Sequence, residues 1–219
     1  MQVWKAHYKD ALHDTDIRIV NTEGDYNSDP LSFILDGAVF RGASLDELHS
    51  ADDAQHSLRD FSLEAEIPVK VFRRRDEVLL EGTLFAAFQK SGDDVTVNEF
   101  SLLTDGKRYK SARRTLCFEL TLIDICRQIK EEYYIKCCFT CQYSDYSPYG
   151  SADYGFMLCF RRHKEDCLRV NSKDDFFAFL DGKDYDGRQE TYLCGQYSLR
   201  NKAGGYRGFV DGAEDWNAR

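Results

Sequence analysis

Cysteine is the residue type in this sequence with the clearest chemical potential. All eight cysteines lie after residue 116, and two of them form the motif Cys138-Phe139-Thr140-Cys141. Two thiolates separated by two residues reach the same zinc ion when the chain turns tightly between them, and zinc takes four ligands in a tetrahedron. We therefore expect Cys138 and Cys141 to supply half of a zinc site.

The residues after this motif favour metal binding over redox chemistry. A redox CxxC usually lies at the start of a helix, whereas Cys141 is followed by Gln-Tyr-Ser-Asp-Tyr-Ser-Pro-Tyr-Gly, which is typical of a turn. A thiol redox site at Cys138 and Cys141 remains an alternative.

The other two zinc ligands are expected to be Cys159 and Cys194, which lie in predicted strands of the same half of the chain. Gly195 beside Cys194 leaves room for the backbone to approach a metal. Cys167 is the main rival for either position. A further alternative is that these cysteines are small buried hydrophobic residues.

The remaining candidate ligands have simpler interpretations. Cys117 and Cys126 fall on apolar faces of a predicted strand and helix, which indicates core positions. Cys137 neighbours Cys138 on a predicted strand, so their side chains point to opposite faces. His163 lies in a basic turn and is interpreted as a surface histidine.

Residues 144–150 form an unusual loop, Ser-Asp-Tyr-Ser-Pro-Tyr-Gly. Its composition predicts either a rigid loop around the metal, with its tyrosines packed into the core, or a recognition loop for a partner or ligand. The recognition contacts would come from Ser144, Asp145, Tyr146, Ser147 and Tyr149. A catalytic role of Asp145 or Tyr146 would need a companion histidine or carboxylate, and none is visible, so no catalytic residue is assigned.

Several motifs occur together in the second half of the chain: Cys138-x-x-Cys141, the 144–150 loop with Gly155, Cys159-Phe160-Arg161, Glu190-x-Tyr192-x-Cys194 and Gly205-Tyr206-Arg207-Gly208. In this combination the chain resembles an uncharacterised bacterial family of unknown function, mainly over residues 120–210. The resemblance implies that the four proposed ligands belong together as one set, and it implies no activity.

A mainly β fold is expected to position these side chains. Residues 61–73 alternate apolar and polar side chains, which predicts a half-buried strand with Pro68 at an edge or a bulge. Further strands are expected at residues 16–21, 31–40, 77–89 and 95–103, and a short helix at 45–55. Several strands at this spacing favour a β-sandwich or a single curled sheet.

The second half shows a different pattern. Leu122, Ile125, Cys126 and Ile129 recur on one helical face, which predicts a helix at residues 119–132. Strands are then expected at 133–139, 156–161, 166–170 and 190–200, and a helix at 173–180. The predicted fold is α+β and mainly β. A β-sandwich-like domain (1–115) would pack on a smaller α+β zinc-knuckle module (116–219).

The charge of the chain limits its partners. Its 219 residues carry a net charge of −9, and residues 1–110 hold 13 Lys and Arg against 21 Asp and Glu. An acidic surface repels phosphate backbones, so nucleic acid is not expected, whereas a basic protein is. The sequence has no recognisable signal peptide and no long apolar run, which predicts a cytoplasmic protein away from membranes. The oligomeric state is left open.

These observations favour a non-enzymatic protein-binding module with a structural zinc site. In its sharpest form it would be an immunity-like inhibitor whose acidic N-terminal face blocks a basic toxin. The alternatives are an enzyme of unknown class with its site at residues 144–150, and a redox sensor that releases zinc when Cys138 and Cys141 are oxidised.

Overall fold

A computed structural model describes residues 1–22, 29–45, 47–53, 57–92, 94–112, 118–149 and 156–200. Its strands are β1 (Gln2–Lys9), β2 (Asp14–Asn21), β3 (Leu31–Leu35), β4 (Ala38–Gly42), β5 (His49–Ser50), β6 (Phe61–Arg73), β7 (Val78–Ser91), β8 (Asp94–Thr104), β9 (Lys107–Lys110), β10 (Tyr133–Lys136), β11 (Ser144–Asp145), β12 (Met157–Cys159) and β13 (Asp186–Arg188). Its helices are α1 (Phe118–Ile129), α2 (Lys164–Leu168) and α3 (Lys173–Leu180).

The fold is mainly β, as predicted, and is built on one large antiparallel sheet. Nine strands follow the order β5-β4-β3-β2-β1-β6-β7-β8-β9, and β10 also pairs with β6. The sequence left a β-sandwich and a single curled sheet open for these strands. All of them join one sheet, and a sandwich of two facing sheets is not confirmed. Its apolar face is covered by α1 and by segments of the second half of the chain, which contribute to the same core.

The central strand β6 follows the predicted alternation, with buried residues at every odd position from Phe61 to Val71. Pro68 lies inside this strand and not at an edge of the sheet. The pairing of β6 with β1 stops at Glu66, and its pairing with β10 begins at Lys70. Proline has no N–H to donate, so it is tolerated at this change of partner.

Strands β1 and β9 were not predicted from the sequence, and one helix predicted near the N-terminus is not found among the described residues. Strand β1 buries Trp4, Ala6 and Tyr8 on one face, an alternation that is visible in the sequence. Where a helix was expected at residues 45–55, the described residues form turns and the short strand β5. Leu45 and Leu48 reach the core from these turns, so two apolar residues were too few to define a helix.

One apolar core joins the two halves of the chain. Phe118 at the start of α1 packs against Phe88 and Phe100 of the sheet, with ring centroids 5.8 and 5.2 Å apart. The same core includes Phe139 and Tyr146 from the second half. The predicted boundary at residue 115 therefore falls between segments that share a core, and the division into two domains stays a prediction.

The second half adds a small sheet, β11-β12-β13, and two helices. The predicted helix at residues 173–180 is confirmed as α3, and Ser172 caps it by accepting a hydrogen bond from the N–H of Asp175. The predicted strand at 166–170 is wrong, because residues 164–168 form helix α2. No strand occupies residues 190–200, whose backbone instead bonds to residues 138–142. Among the described helices, none has the length and apolarity needed to cross a membrane.

Candidate metal centre

The first two cysteines are positioned by a single 3₁₀ turn, Cys138–Thr140, directly after β10. The N–H of Cys141 donates to the carbonyl of Cys138 over 3.0 Å. Thr140 stabilises the turn, since its hydroxyl donates a hydrogen bond to the carbonyl of Ile135 over 2.6 Å. The turn brings the side chains of Cys138 and Cys141 to the same cavity, as the CxxC spacing predicted.

Cys159 reaches this cavity through strand pairing. It lies at the end of β12, where it pairs with Ser144 of β11, three residues beyond Cys141. The N–H of Phe160 also donates to the carbonyl of Tyr143 over 2.8 Å. The chain therefore returns to the CxxC turn after the intervening loop.

Cys194 is brought in by a segment that runs alongside the CxxC turn. The N–H groups of Cys138 and Phe139 donate to the carbonyls of Tyr192 and Glu190 over 2.7 and 3.0 Å. Beyond Cys194, the N–H of Gln142 donates to the carbonyl of Ser198, and the N–H of Arg200 to that of Thr140, both over 2.9 Å. Backbone bonds on both sides of Cys194 thus hold it beside the motif.

All four predicted zinc ligands line one small cavity. Its volume is about 10 Å³, and its wall also includes Tyr143, Tyr192 and Tyr197. This is about the volume occupied by one water molecule, so the cavity suits a single ion better than a cluster of metal atoms. Its described lining includes no carboxylate and no histidine.

Thiolates buried in this cavity would be destabilised in the absence of a nearby cation. Burial, and then the neighbouring Cys159 and Cys141, raise the pKa of the Cys138 thiol well above its ordinary value. Burial likewise raises the pKa of Cys159 to about 11. At neutral pH these thiols stay protonated unless a cation offsets the charge of their anionic forms.

The local backbone nevertheless favours the anionic form of two of the four thiols. The pKa of Cys141 is raised by burial, but the N–H groups of Ser198 and Tyr143 and the charge of Arg200 act in the opposite direction. For Cys159 the N–H of Arg161 has the same lowering effect on the pKa. Hydrogen bonds of this kind are those that support a metal-bound thiolate.

The side chains as they stand do not form a finished coordination shell. Across the described ranges, no group of three or more His, Cys, Asp or Glu side chains is arranged so that it could hold a metal ion. A change of χ1 from one staggered rotamer to another would move a cysteine sulfur relative to the other three. Four thiols, with no carboxylate or histidine in the described lining, fit zinc by donor type.

The rival cysteines lie elsewhere. Cys167 packs in a separate apolar cluster with Leu158, Phe160 and Phe176. Cys137 is fully buried and is not part of the four-cysteine cavity lining. Burial, and then the neighbouring Cys137, raise the pKa of Cys126. Cys117 lies outside the described residues. No disulfide joins the seven cysteines that the structure describes.

His163 is also outside the four-cysteine cavity. Its ring nitrogen Nε2 lies 2.6 Å from a carboxylate oxygen of Asp184, directly before helix α2. Its side chain is 23% exposed.

The 144–150 loop is mainly part of the core. Ser144, Asp145 and Tyr146 are fully buried, Ser147 is half-buried and Tyr149 is 79% exposed. The Ser144 hydroxyl donates to the carbonyl of Cys138, and a carboxylate oxygen of Asp145 accepts the N–H of Tyr146 over 2.8 Å. The loop therefore braces the CxxC turn, and Tyr149 is its strongly exposed side chain. Gly150 and Gly155 lie outside the described residues.

Two polar groups beside the centre, Glu190 and Arg200, are buried. Glu190 was named from the sequence only as part of the family motif, and Arg200 was not named as a site residue. Glu190 accepts hydrogen bonds from the Tyr146 hydroxyl and from the Gln189 amide, both over 3.0 Å. The Arg200 guanidinium donates to the carbonyls of Cys141 and Ser144. Their sequence neighbourhoods carry no pattern that marks them as buried.

Comparison with known proteins gives a family but no activity. No curated protein and no solved structure matches the chain. A family of unknown function, DUF6304, matches residues 2–144. The matched stretch covers the sheet, α1 and the CxxC turn, and it ends before Cys159 and Cys194.

From the sequence motifs, the resemblance to an uncharacterised family was expected mainly over residues 120–210. An uncharacterised family is confirmed, but its match lies largely in the N-terminal half, and the CxxC-and-loop motif is not shown to define it. The Gly205–Gly208 part of that motif lies outside the described residues. The chain belongs to the family of unknown function DUF6304, which it matches over residues 2–144.

Proposed function

We propose that this chain is a non-enzymatic protein-binding module whose C-terminal segments are tied together by a structural zinc ion on Cys138, Cys141, Cys159 and Cys194. The observation that carries the zinc site is the shared cavity: cysteines from three segments far apart in the sequence line the same small space.

The zinc would act as a cross-link and not as a catalyst. Four protein ligands leave no open position for water or substrate. A centre with four thiolates and one Zn²⁺ carries a net charge of −2, and the buried Arg200 beside Cys141 supplies nearby positive charge. The binding energy of such an ion contributes directly to folding.

A binding role is supported over catalysis by the burial of the loop. Asp145 and Tyr146, the side chains that would act as acid or base, are fully buried and cannot meet a substrate. The net charge of the chain favours a basic protein as partner, and an immunity-like inhibitor of a basic toxin is the sharpest form of this proposal. A zinc–thiolate site also suits a reducing compartment such as the cytoplasm.

Elemental analysis of untagged protein tests the zinc site. We expect about one zinc per chain in the wild type and a large loss in the double variant Cys138→Ser/Cys141→Ser. Cys167→Ala is the matched control, because it removes a buried thiol of the separate apolar cluster. Wild-type protein without zinc, or with iron in its place, would contradict the proposal.

A redox sensor is the second candidate, and the partial burial of Cys194 favours it. Its neighbours Gly195 and Gln196 are exposed, so an oxidant can approach this side of the cavity. In that case mild peroxide would oxidise two thiolates to a disulfide and release zinc, and a reductant would restore binding. If zinc stays bound in the presence of peroxide until the protein unfolds, the redox-sensor function is excluded.

A further inference from the structure

The polar face of the large sheet, opposite to the core, forms a groove of about 1130 Å³. We propose that this outer groove binds an α-helix of a partner protein, laid across the strands, with a stripe of basic residues facing the sheet. The inference rests on the proposed binding function and specifies the partner's surface. The groove is larger than the range of about 300–1000 Å³ that is typical of small-molecule pockets.

A row of carboxylates crosses the floor of the outer groove. Asp16 pairs with His7, His7 with Glu64, Glu64 with Ala87, and Ala87 with Glu99. These residues therefore lie side by side on five neighbouring strands. Strands are separated by about 4.8 Å, so the three carboxylates repeat at intervals of about 10 Å.

This interval matches a helix and not an extended peptide. Residues seven apart on one helix face are separated by about 10.5 Å along its axis. In an extended strand, residues on one face repeat about every 6.7 Å, which does not match the row. A helix with Lys or Arg at positions i, i+7 and i+14 would place one cation near each carboxylate.

The carboxylates in the row are available for such a partner. Within the described part of the chain, Glu64 and Glu99 are exposed and form no ion pair. The Asp16 side chain is 92% exposed, although it accepts a hydrogen bond from His7. Between the acidic strands, Ala87 has a small side chain that leaves space above the sheet.

The outer groove also contains cations, which restrict the partner further. Lys5 and Arg18 lie next to each other on β1 and β2, and Arg108 and Lys110 lie on β9. These four cations equal in number the four carboxylates of the lining, Asp16, Glu64, Glu66 and Glu99. They would repel a helix that is basic on all sides, so the pattern of charges on the helix should matter more than its total.

A designed helical peptide tests the inference. The probe is a labelled alanine-rich helix of about 20 residues with lysines at i, i+7 and i+14, and its binding is followed by fluorescence anisotropy. The control peptide has the same lysines distributed around the helix. We expect the patterned peptide to bind at least about fivefold more tightly than the control peptide, and Glu64→Gln/Glu99→Gln to remove this preference.

A matched variant separates the groove from general charge effects. Glu77→Gln/Glu165→Gln removes the same charge from exposed positions outside the outer groove and should leave binding unchanged. Equal binding of both peptides, or equal weakening by both variants, would overturn the inference. So would a dimer of the protein alone that dissociates in Glu64→Gln/Glu99→Gln, because the groove would then bind a second copy.

The zinc content of the same samples keeps the two proposals apart. The groove variants should retain zinc, since the outer groove and the four cysteines have no residue in common. Zinc-loaded protein that fails to distinguish the peptides overturns the groove inference alone. Protein that lacks zinc but prefers the patterned peptide overturns the structural zinc alone.

Discussion

Glu190 illustrates how a single buried charge is accommodated next to the candidate metal centre. Its carboxylate accepts the Tyr146 hydroxyl and the Gln189 amide, and Gln189 in turn accepts a hydrogen bond from the Asn21 amide of β2 over 3.3 Å. A buried carboxylate without such donors would be strongly destabilising. This network therefore links the 144–150 loop, the segment before Cys194 and the large sheet.

The substitution Tyr146→Phe tests the importance of this network. It removes one donor to a buried carboxylate and keeps the ring in the core, so we expect the free energy of unfolding to fall by about 1–3 kcal/mol. Urea denaturation measures the change. Tyr149→Phe, in the same loop but exposed, should change stability by less than about 0.5 kcal/mol. Equal effects of the two substitutions would show that the hydrogen bond from the Tyr146 hydroxyl to the Glu190 carboxylate does not contribute measurably to stability.

At the scale of elements, strand β7 depends on a close approach at Gly82. A Cβ added there would lie 2.8 Å from Cγ2 of Val71 and 3.3 Å from side-chain carbons of Val69 and Leu102. Valine side chains have little freedom to move away. The sheet and its core are therefore packed tightly at this point.

We expect Gly82→Ala to lower the free energy of unfolding by about 1–3 kcal/mol, because the added methyl group overpacks the core. Thr83→Ala changes the next residue, which points to the opposite face, and should have a smaller effect. Thermal unfolding followed by circular dichroism compares the two. A Gly82→Ala protein as stable as the wild type would mean that the neighbouring strands separate easily.

The elements that the sequence predicted well are those with long, regular patterns. The thirteen-residue alternation of β6 and the capped helix α3 were both found close to their predicted bounds. The choice between a sandwich and a single curled sheet stayed open, because alternation marks which face of a strand is buried but not what covers that face. Helix α2 was read as a strand because five residues are too few to distinguish the two periods.

The part of the candidate site that could be predicted from the sequence is the part formed by residues close together in the chain. The CxxC turn follows from local geometry, and it brings Cys138 and Cys141 to one cavity. The convergence of Cys159 and Cys194 depends on backbone hydrogen bonds between distant segments, which no local pattern specifies. The burial of Tyr146 agrees with the interpretation of the loop as a rigid turn whose tyrosines enter the core. The burial of Ser144 and Asp145 was not foreseen, since polar residues in a turn-like string usually indicate an exposed loop.

At the scale of the whole molecule, the shared core couples the proposed metal centre to the large sheet. Cys138, Phe139 and Tyr146 belong to the same apolar cluster as the residues of β6 and β7. Loss of a cross-link at the four cysteines should therefore weaken the whole chain, and not only its second half.

Removal of the metal by a strong chelator under reducing conditions tests this coupling. We expect the midpoint of thermal unfolding to fall by at least about 10 °C, in one cooperative transition, because several kcal/mol of folding energy are lost. Differential scanning calorimetry measures both the midpoint and the number of transitions. Two separate transitions would instead support independent domains at residues 1–115 and 116–219.

X-ray absorption at the zinc edge of untagged protein tests directly whether four cysteines from distant segments bind one zinc ion, because it measures the metal and its ligands together. We expect about four sulfur neighbours at about 2.3 Å and no oxygen or nitrogen bound to the metal. Absence of a zinc edge, or a shell dominated by oxygen and nitrogen, would contradict it.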